Sequence, residues 1–134
     1  MDERVAEMRL SVTAPDYDEA VRFYRDVLGL PELGTYTSGD GHVTILEAGR
    51  ATLELADPAY AAYIDEVEVG RRVAGHLRVA FRVADAAGAS ARLIGAGARL
   101  IASPTITPWR SLNARLEAPA GLQLTLFEEL EPEL

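Results

Sequence analysis

Apolar and polar residues alternate along several short segments of the chain, and a period of two is typical of strands with one buried face. A segment with helical spacing follows the first of these strands. Asp16 and Glu19 form a capping-box pattern at its start, and Gly29 stands where a helix typically ends. The first half therefore predicts the order β-α-β-β-β, with strands at 8–13, 33–38, 42–47 and 51–56 and a helix over 16–28.

The second half repeats this plan after a connecting segment of different character. In that segment Pro58 stands where a helix can start, and the helix has a weak apolar stripe of Tyr60, Tyr63, Ile64 and Val67. Val12 and Val83 are 83 − 12 = 71 positions apart, and the last strands of the halves match at the same offset. The second half predicts strands at 77–83, from 100, at 110–117 and at 122–127, with a helix from Asp85 to about Gly95 or Gly97.

These elements predict one α+β domain in which two βαβββ modules form a curved mixed sheet. The helices cover the convex side, and the concave side forms a cleft. A length of 134 residues suits a single domain with one core. The predicted parts are the first module at 5–56, a connecting segment at 57–75, the second module at 76–128 and an acidic tail at 129–134.

The strand face opposite the helices is unusually polar. Alternation assigns its members, because successive side chains of a strand point to opposite faces. Such a face suits a ligand cleft, and it equally suits a sheet surface that faces solvent or a second subunit. The predicted members are Glu7, Arg9, Ser11, Thr13, Thr44, Thr52, Glu54, His76, Arg78, Arg82, Ser111, Asn113, Arg115, Gln123 and Thr125.

Composition excludes several kinds of chemistry. All 13 basic residues are arginine, and the chain has no lysine and no cysteine, so Schiff-base, thiol and thiolate-metal chemistry are excluded. A net charge of −8 disfavours nucleic acid as a partner. The chain has no apolar run of membrane length, and residues 1–4 begin no signal peptide. We therefore expect a cytoplasmic protein with no membrane partner.

Five motifs together resemble the vicinal oxygen chelate superfamily, which includes glyoxalase I, bleomycin-resistance proteins, methylmalonyl-CoA epimerases and extradiol dioxygenases. The resemblance covers nearly the whole chain, and the helix motif that contains Phe23-Tyr24 and Leu28-Gly29 is its most specific part. It implies a U-shaped cleft for a small-molecule ligand, and usually a homodimer. The motifs are Leu10-Ser11-Val12, the segment 20–30, Ala51-Thr52-Leu53-Glu54-Leu55, the segment 79–85 and the segment 118–124.

Metal-dependent members of that superfamily carry ligands on the first and last strand of each module. Carried over, these positions are Glu7, Glu54, Arg78 and Thr125, which the offset of 71 makes neighbours. Arginine cannot ligate a metal and repels a divalent cation, and threonine is a poor ligand. We therefore expect a metal-free site without a cofactor, in which Arg78 replaces the metal and pairs with Glu7 or Glu54. A metal held by Glu7 and Glu54 is the weaker alternative.

Further residues are candidates for contact with the ligand. His76 lies on the same strand face as Arg78 and is expected at the rim of the cleft. Trp109 suits stacking on a flat ligand, or a role in the core or in a dimer contact, and Arg110 suits pairing with an anion. The predicted ligand-binding residues are Arg9, Ser11, Thr52, His76, Trp109, Arg110, Asn113, Gln123 and Thr125.

Three functions follow from the resemblance and the altered ligand set. The first is a small-molecule binding protein of the bleomycin-resistance type, which sequesters its ligand in a dimer cleft; the acidic net charge suits a cationic ligand. The second is a metal-independent isomerase, cyclase or hydrolase that acts on a natural product or metabolite. In it Glu7 or Glu54 is the base and Arg78 stabilises an anion. A metal-dependent glyoxalase or dioxygenase ranks last.

Overall fold

The computed structural model describes residues 4–27, 29–118 and 121–131, and these contain eight strands in one mixed sheet of order β2-β3-β4-β1-β5-β8-β7-β6. The strands are β1 (Glu7–Thr13), β2 (Glu32–Ser38), β3 (Gly41–Ala48), β4 (Ala51–Ala56), β5 (Leu77–Arg82), β6 (Arg99–Ile106), β7 (Ser111–Ala118) and β8 (Leu122–Glu129). The helices are α1 (Tyr17–Val21), which continues as a π-helical segment (Arg22–Val27), α2 (Pro58–Glu68) and α3 (Ala86–Gly95).

The predicted α+β fold of two βαβββ modules is confirmed. The first strands of the modules, β1 and β5, pair antiparallel at the centre of the sheet, with Leu10 opposite Val79. The last strands, β4 and β8, pair parallel to β1 and β5 on their outer sides. Each module then continues outward through antiparallel hairpins, so the eight strands are arranged about an approximate two-fold axis.

Helices α1 and α3 cover the convex face of the sheet. Val21 of α1 packs with Leu46 and Leu55, and Ala89 of α3 packs with Leu116 and its neighbours on the second module. Both predicted N-caps are present: Asp16 accepts a hydrogen bond from the amide of Glu19 (3.1 Å), and Asp85 accepts one from the amide of Gly88 (3.0 Å). These caps fix where each helix leaves its strand.

Two side chains depart from the predicted faces. Met8 and Leu77, expected beneath the helices, remain 42% and 45% exposed, because α1 packs mainly on β4, and α3 on β6, β7 and β8, rather than on the central pair β1 and β5. Thr44, expected on the polar concave face, instead contacts the hydroxyl of Tyr17 in α1. The alternation of β3 therefore runs in the opposite sense from the prediction, and its concave positions are Val43 and Ile45.

Helix α2 crosses the concave face. Its start is fixed by Asp57, whose carboxylate accepts hydrogen bonds from the amide of Tyr60 (2.8 Å) and the amide of His42 (3.0 Å). Gly41 permits a close approach there, because a Cβ atom on it would lie 2.6 Å from the backbone nitrogen of Tyr60. The helix start predicted at Pro58 is confirmed. The buried face is not the apolar stripe, however, but Ala61, Asp65 and Glu68.

Several predictions fall on positions outside the described residues. These are the last helical position of the first module (Leu28), the turn residues Pro119 and Ala120, the end of the acidic tail (132–134) and residues 1–3. Among the described helices, none has the length and apolar character needed to span a membrane.

Candidate ligand-binding cleft

The concave face encloses a cleft of about 600 Å³ between the sheet, helix α2 and the loop before β7. Strands β1, β4 and β5 form its polar floor, and α2 provides one wall. The opposite end is closed by the turn that leads into β7. Ten of the residues predicted for the site line this cleft: Glu7, Arg9, Ser11, Thr52, Glu54, Arg78, Trp109, Arg110, Asn113 and Thr125.

Strand register corrects the predicted equivalence of the two modules. In the first module Glu54 lies opposite Ser11, and in the second Thr125 lies opposite Ala80. The hairpins that precede these positions correspond residue by residue, apart from one extra turn residue in the second module. Since Glu54 and Thr125 are equivalent, Ser11 and Ala80 are equivalent as well. The offset between the first strands is therefore 80 − 11 = 69, and not 71.

The corrected register places Arg9, and not Glu7, at the position equivalent to Arg78. Glu7 lies opposite Arg82 and is two residues nearer the start of β1 than Arg9 is. Two residues of a strand span roughly 6–7 Å, so Glu7 does not lie at the position equivalent to Glu54, Arg78 and Thr125. The four equivalent positions are consequently Arg9, Glu54, Arg78 and Thr125.

Arg9 is held by three carboxylates. Its Nε donates to Glu7 (2.8 Å), and its terminal nitrogens lie 3.5 Å from Glu129 and 3.8 Å from Glu54. The guanidinium also stacks 4.4 Å from the ring centroid of Phe127. Burial alone would lower the pKa of Arg9, but the hydrogen bond to Glu7 and the three negative charges raise it. Arg9 therefore stays charged and keeps Glu7 and Glu54 in ion pairs.

Arg78 makes different contacts from those predicted. It was expected to pair with Glu7 or Glu54, but its terminal nitrogens donate to the hydroxyls of Thr125 (2.8 Å) and Ser11 (3.3 Å). The hydroxyl of Ser11 in turn donates to Glu54 (2.9 Å). The prediction failed because Ser11 lies between Arg78 and Glu54 in the strand register and bonds to both.

Behind the cleft wall lies a buried ion network that the sequence analysis missed. Arg115 is fully buried and donates to Asp65 of α2 (2.8 Å) and to Glu68 of α2 (2.9 and 3.1 Å). Glu68 also accepts hydrogen bonds from Asn113 (2.8 Å) and from the hydroxyl of Thr125 (3.0 Å). The spacing of Asp65 and Glu68 by three residues, which puts both on one helix face, was the available signal.

Asp65 accepts four hydrogen bonds in this network, as many as Glu68. Burial alone would raise the pKa of Asp65, but hydrogen bonds from the amides of Ala74 and Val73 and from Arg115 and Arg72 lower it below its usual range. Asp65 thus remains ionised inside the protein. It ties α2 both to β7 and to the segment that follows the helix.

Two predicted ligand-binding residues lie outside the lining of the cleft. His76 is exposed, and its Nδ1 lies 3.1 Å from the carbonyl oxygen of Thr13. Gln123 accepts a hydrogen bond from Arg115 (3.1 Å) and donates one to the carbonyl of Val73 (2.7 Å). Gln123 thus holds the connecting segment, whereas His76 contacts the end of β1.

Aromatic side chains form one edge of the cleft. Trp109 is 41% exposed, with its ring 6.2 Å from that of Tyr63, which lies 5.4 Å from the ring of Tyr60. Burial raises the pKa of Tyr60, and the carboxylate of Glu54 adds to this effect. Tyr60 is therefore a neutral hydrogen-bonding group at neutral pH, beside an apolar wall that includes Leu33, Val43 and Ile45.

The donor set does not fit the divalent metal of metal-dependent relatives. The described residues contain no group of three or more histidine, cysteine, aspartate or glutamate side chains arranged to hold a metal ion. Of the four equivalent positions only Glu54 provides an ordinary ligand, and two carry guanidinium groups that repel a cation.

Two βαβββ modules around one polar cleft define a class of small α+β proteins. The comparison with known families assigns the chain to the same class. The model of the Glyoxalase/Bleomycin resistance protein/Dioxygenase superfamily matches residues 8–126, and the chain belongs to this family. The resemblance inferred from the sequence motifs is thereby confirmed. A comparison with curated protein sequences gives no significant match.

Solved structures with the same fold include enzymes of different activities. A variant of Streptomyces coelicolor methylmalonyl-CoA epimerase, in complex with 2-nitronate-propionyl-CoA, has a TM-score of 0.69 and 19% identity over 97% of this chain and 100% of its own. The Mycobacterium tuberculosis epimerase has a TM-score of 0.63 and 20% identity over 95% and 88%. A variant of 4-hydroxymandelate synthase from Streptomyces coelicolor has a TM-score of 0.65 and 23% identity over 97% of this chain and 39% of its own.

Proposed function

We propose that the protein is a metal-independent small-molecule binding protein, whose cleft sequesters its ligand. The observation that carries the proposal is the identity of the four equivalent positions, where Arg9, Glu54, Arg78 and Thr125 form bonds to one another and to their neighbours. In this arrangement positive charge is supplied by guanidinium groups fixed to the sheet. The cleft volume of about 600 Å³ lies within the usual range for small-molecule sites.

The state of the carboxylates favours binding over catalysis. A general base needs an acceptor that is free to take a proton from the substrate. Glu7 instead accepts a hydrogen bond from Arg9 at 2.8 Å, and one oxygen of Glu54 accepts from Ser11 at 2.9 Å. Both carboxylates thus already accept a hydrogen bond from a neighbouring side chain.

A metal-independent enzyme is the second candidate, and one detail of Glu54 favours it. Its second carboxylate oxygen has only a distant ion-pair contact, 3.8 Å from Arg9, and the residue lines the cleft. If a substrate proton is placed at this oxygen, Glu54 accepts it as the general base, and Arg78 stabilises the resulting anion. In this scheme the proton moves from substrate carbon to the Glu54 oxygen and the electron pair stays on the substrate.

Native mass spectrometry of the freshly purified protein, in buffer that contains EDTA, tests the proposal. We expect a co-purified compound whose mass adds to that of the protein and which dissociates on mild unfolding. The compound, once identified, is offered to Glu54→Gln protein and to the natural sequence. Equal affinity without turnover by either supports a binding protein. Turnover by the natural sequence that Glu54→Gln abolishes would establish the enzyme instead.

The proposal extends to a cytoplasmic homodimer, in line with the family. Light scattering after size-exclusion chromatography measures its mass, and a dimer is expected to have about twice the monomer mass of 14.5 kDa. A monomer at micromolar concentration would contradict this part alone, since the described cleft is lined by residues of one chain.

A further inference from the structure

Three arginines of the concave face differ in how their charge is compensated. Arg115 faces two buried carboxylates, and Arg9 faces three carboxylates within ion-pair distance. Arg78 lines the same cleft, yet no described carboxylate lies within ion-pair distance of its guanidinium. Charges removed from water are ordinarily paired, because desolvation of an unpaired charge is costly. Arg78, which is half-buried, therefore has no direct carboxylate partner among the described residues, and it reaches Glu54 and Glu68 only through hydroxyls.

The two hydroxyls that contact Arg78 are oriented to accept from it. A hydroxyl has a single hydrogen, and Thr125 uses its own to donate to Glu68 while Ser11 uses its own to donate to Glu54. Each oxygen then presents a lone pair to a terminal nitrogen of Arg78. These bonds fix the plane of the guanidinium in the cleft. They use two of its five N–H donors, which leaves three for a ligand.

The remaining charges of the cleft limit what kind of anion fits. The positive charge of Arg9 is already shared among Glu7, Glu54 and Glu129. Among Arg9, Arg78 and Arg115, Arg78 alone has no described carboxylate at ion-pair distance, and one such guanidinium matches one carboxylate, whose two oxygens fit the planar fork, better than a polyphosphate, which needs several cations. This local arrangement differs from the net charge of −8, which by itself suggested a cationic ligand.

We infer that the cleft ligand is a monocarboxylate with an apolar or aromatic body, and that its carboxylate binds Arg78. The body would lie along the apolar wall and the aromatic edge formed by Tyr60 and Trp109. This inference rests on the proposed binding function, whose ligand class it specifies. Arg78 is then the residue that decides specificity, since an uncharged analogue leaves its free donors without an acceptor.

Isothermal titration calorimetry in EDTA-containing buffer tests this with matched pairs of probes. The acids are acetate, benzoate and 3-phenylpropionate, and each is compared with its uncharged amide. For the natural sequence we expect at least one of the aromatic acids to bind about 10- to 100-fold more tightly than its amide, the range expected for hydrogen bonds to a charged group. Arg78→Gln should abolish this preference, and Arg78→Lys, which keeps the charge but loses the fork, should retain part of it.

Arg82→Gln is the matched control, because Arg82 lies on the same strand face but pairs with Glu129 at 3.3 Å and does not line the cleft. It should keep the full preference for the acid. Circular dichroism of each variant verifies the fold, and Arg78→Lys keeps the test valid if Arg78→Gln is unstable. The inference is overturned if no acid binds more tightly than its amide, or if the preference survives in Arg78→Gln. Equal binding of acid and amide in EDTA would overturn it and leave the proposed function standing. Binding that occurs only when EDTA is replaced by a divalent cation would overturn the proposed function.

Discussion

Replacement of Arg115 by methionine tests whether the buried network fixes α2 over the sheet. Arg115 is fully buried and donates four hydrogen bonds: one to Asp65, two to Glu68 and one to Gln123. Methionine fills much of the same volume but removes the positive charge. Two carboxylates that are 0% and 4% exposed then remain inside the protein without their main counter-ion.

The expected loss of stability follows from what stays behind. Removal of one partner from a buried ion pair costs about 3–5 kcal/mol. Asp65 keeps Arg72 and two backbone amides, and Glu68 keeps hydrogen bonds from two neighbouring side chains, so we expect the lower end, about 3 kcal/mol. Single domains are stable by about 5–15 kcal/mol, so Arg115→Met should still fold.

Urea unfolding followed by far-ultraviolet circular dichroism measures this loss. A loss of about 3 kcal/mol lowers the midpoint by about 1–3 M for the usual dependence on urea. Arg99→Met is the control, because Arg99 pairs with Glu117 on the neighbouring strand β7 but is 77% exposed. An exposed pair contributes about 0–1 kcal/mol. If Arg115→Met lowered the midpoint no more than Arg99→Met does, the network would not hold α2 and the reasoning would be refuted.

Three further outcomes follow from individual contacts. Because the pKa of Asp65 is lowered in the folded protein, its contribution to stability is present above the unfolded pKa of about 3.9 and is lost as the pH falls through the lower folded value. Urea midpoints of Asp65→Asn should therefore vary less with pH below pH 4 than those of the natural sequence. Identical pH profiles would contradict this. Gly41→Ala should cost about 1–3 kcal/mol in thermal unfolding, because the new Cβ would lie 2.6 Å from the nitrogen of Tyr60, and an unchanged melting temperature would disprove the close approach. Thr125→Val should cost about 1–3 kcal/mol in urea unfolding, because Glu68 loses a hydrogen-bond donor. Thr52→Val should be neutral or stabilising, because the buried hydroxyl of Thr52 has no partner within the described residues. A larger loss of stability in Thr52→Val than in Thr125→Val would contradict the assigned bonds.

Periodicity predicted most of the fold, because each of its signals is local. The alternating strands, the N-caps at Asp16 and Asp85 and the helix start at Pro58 depend on neighbouring residues alone. Strand register is different, because it depends on contacts between distant segments. A shift of two residues leaves every side chain on the same face, so alternation cannot distinguish Glu7 from Arg9 at the position equivalent to Arg78.

The buried network was missed for a related reason. Helix faces are predicted from apolar spacing, which in this helix gave only the weak stripe of Tyr60, Tyr63, Ile64 and Val67. The structure buries Asp65 and Glu68 because Arg115, which the sequence analysis did place on the concave face, compensates both charges from a strand 47 to 50 positions away. The spacing of Asp65 and Glu68 by three residues indicates that they share a helix face, but a single sequence has no local signal for their pairing with Arg115.

The metal content of the purified protein tests the central claim most directly. The protein is incubated with an excess of Zn²⁺, Ni²⁺ or Mn²⁺, freed of unbound metal by gel filtration, and analysed by inductively coupled plasma mass spectrometry. Because Arg9 and Arg78 stand at two of the four equivalent positions, the account predicts well below stoichiometric metal, unchanged by Glu54→Gln. One metal ion per chain that Glu54→Gln removes would contradict it.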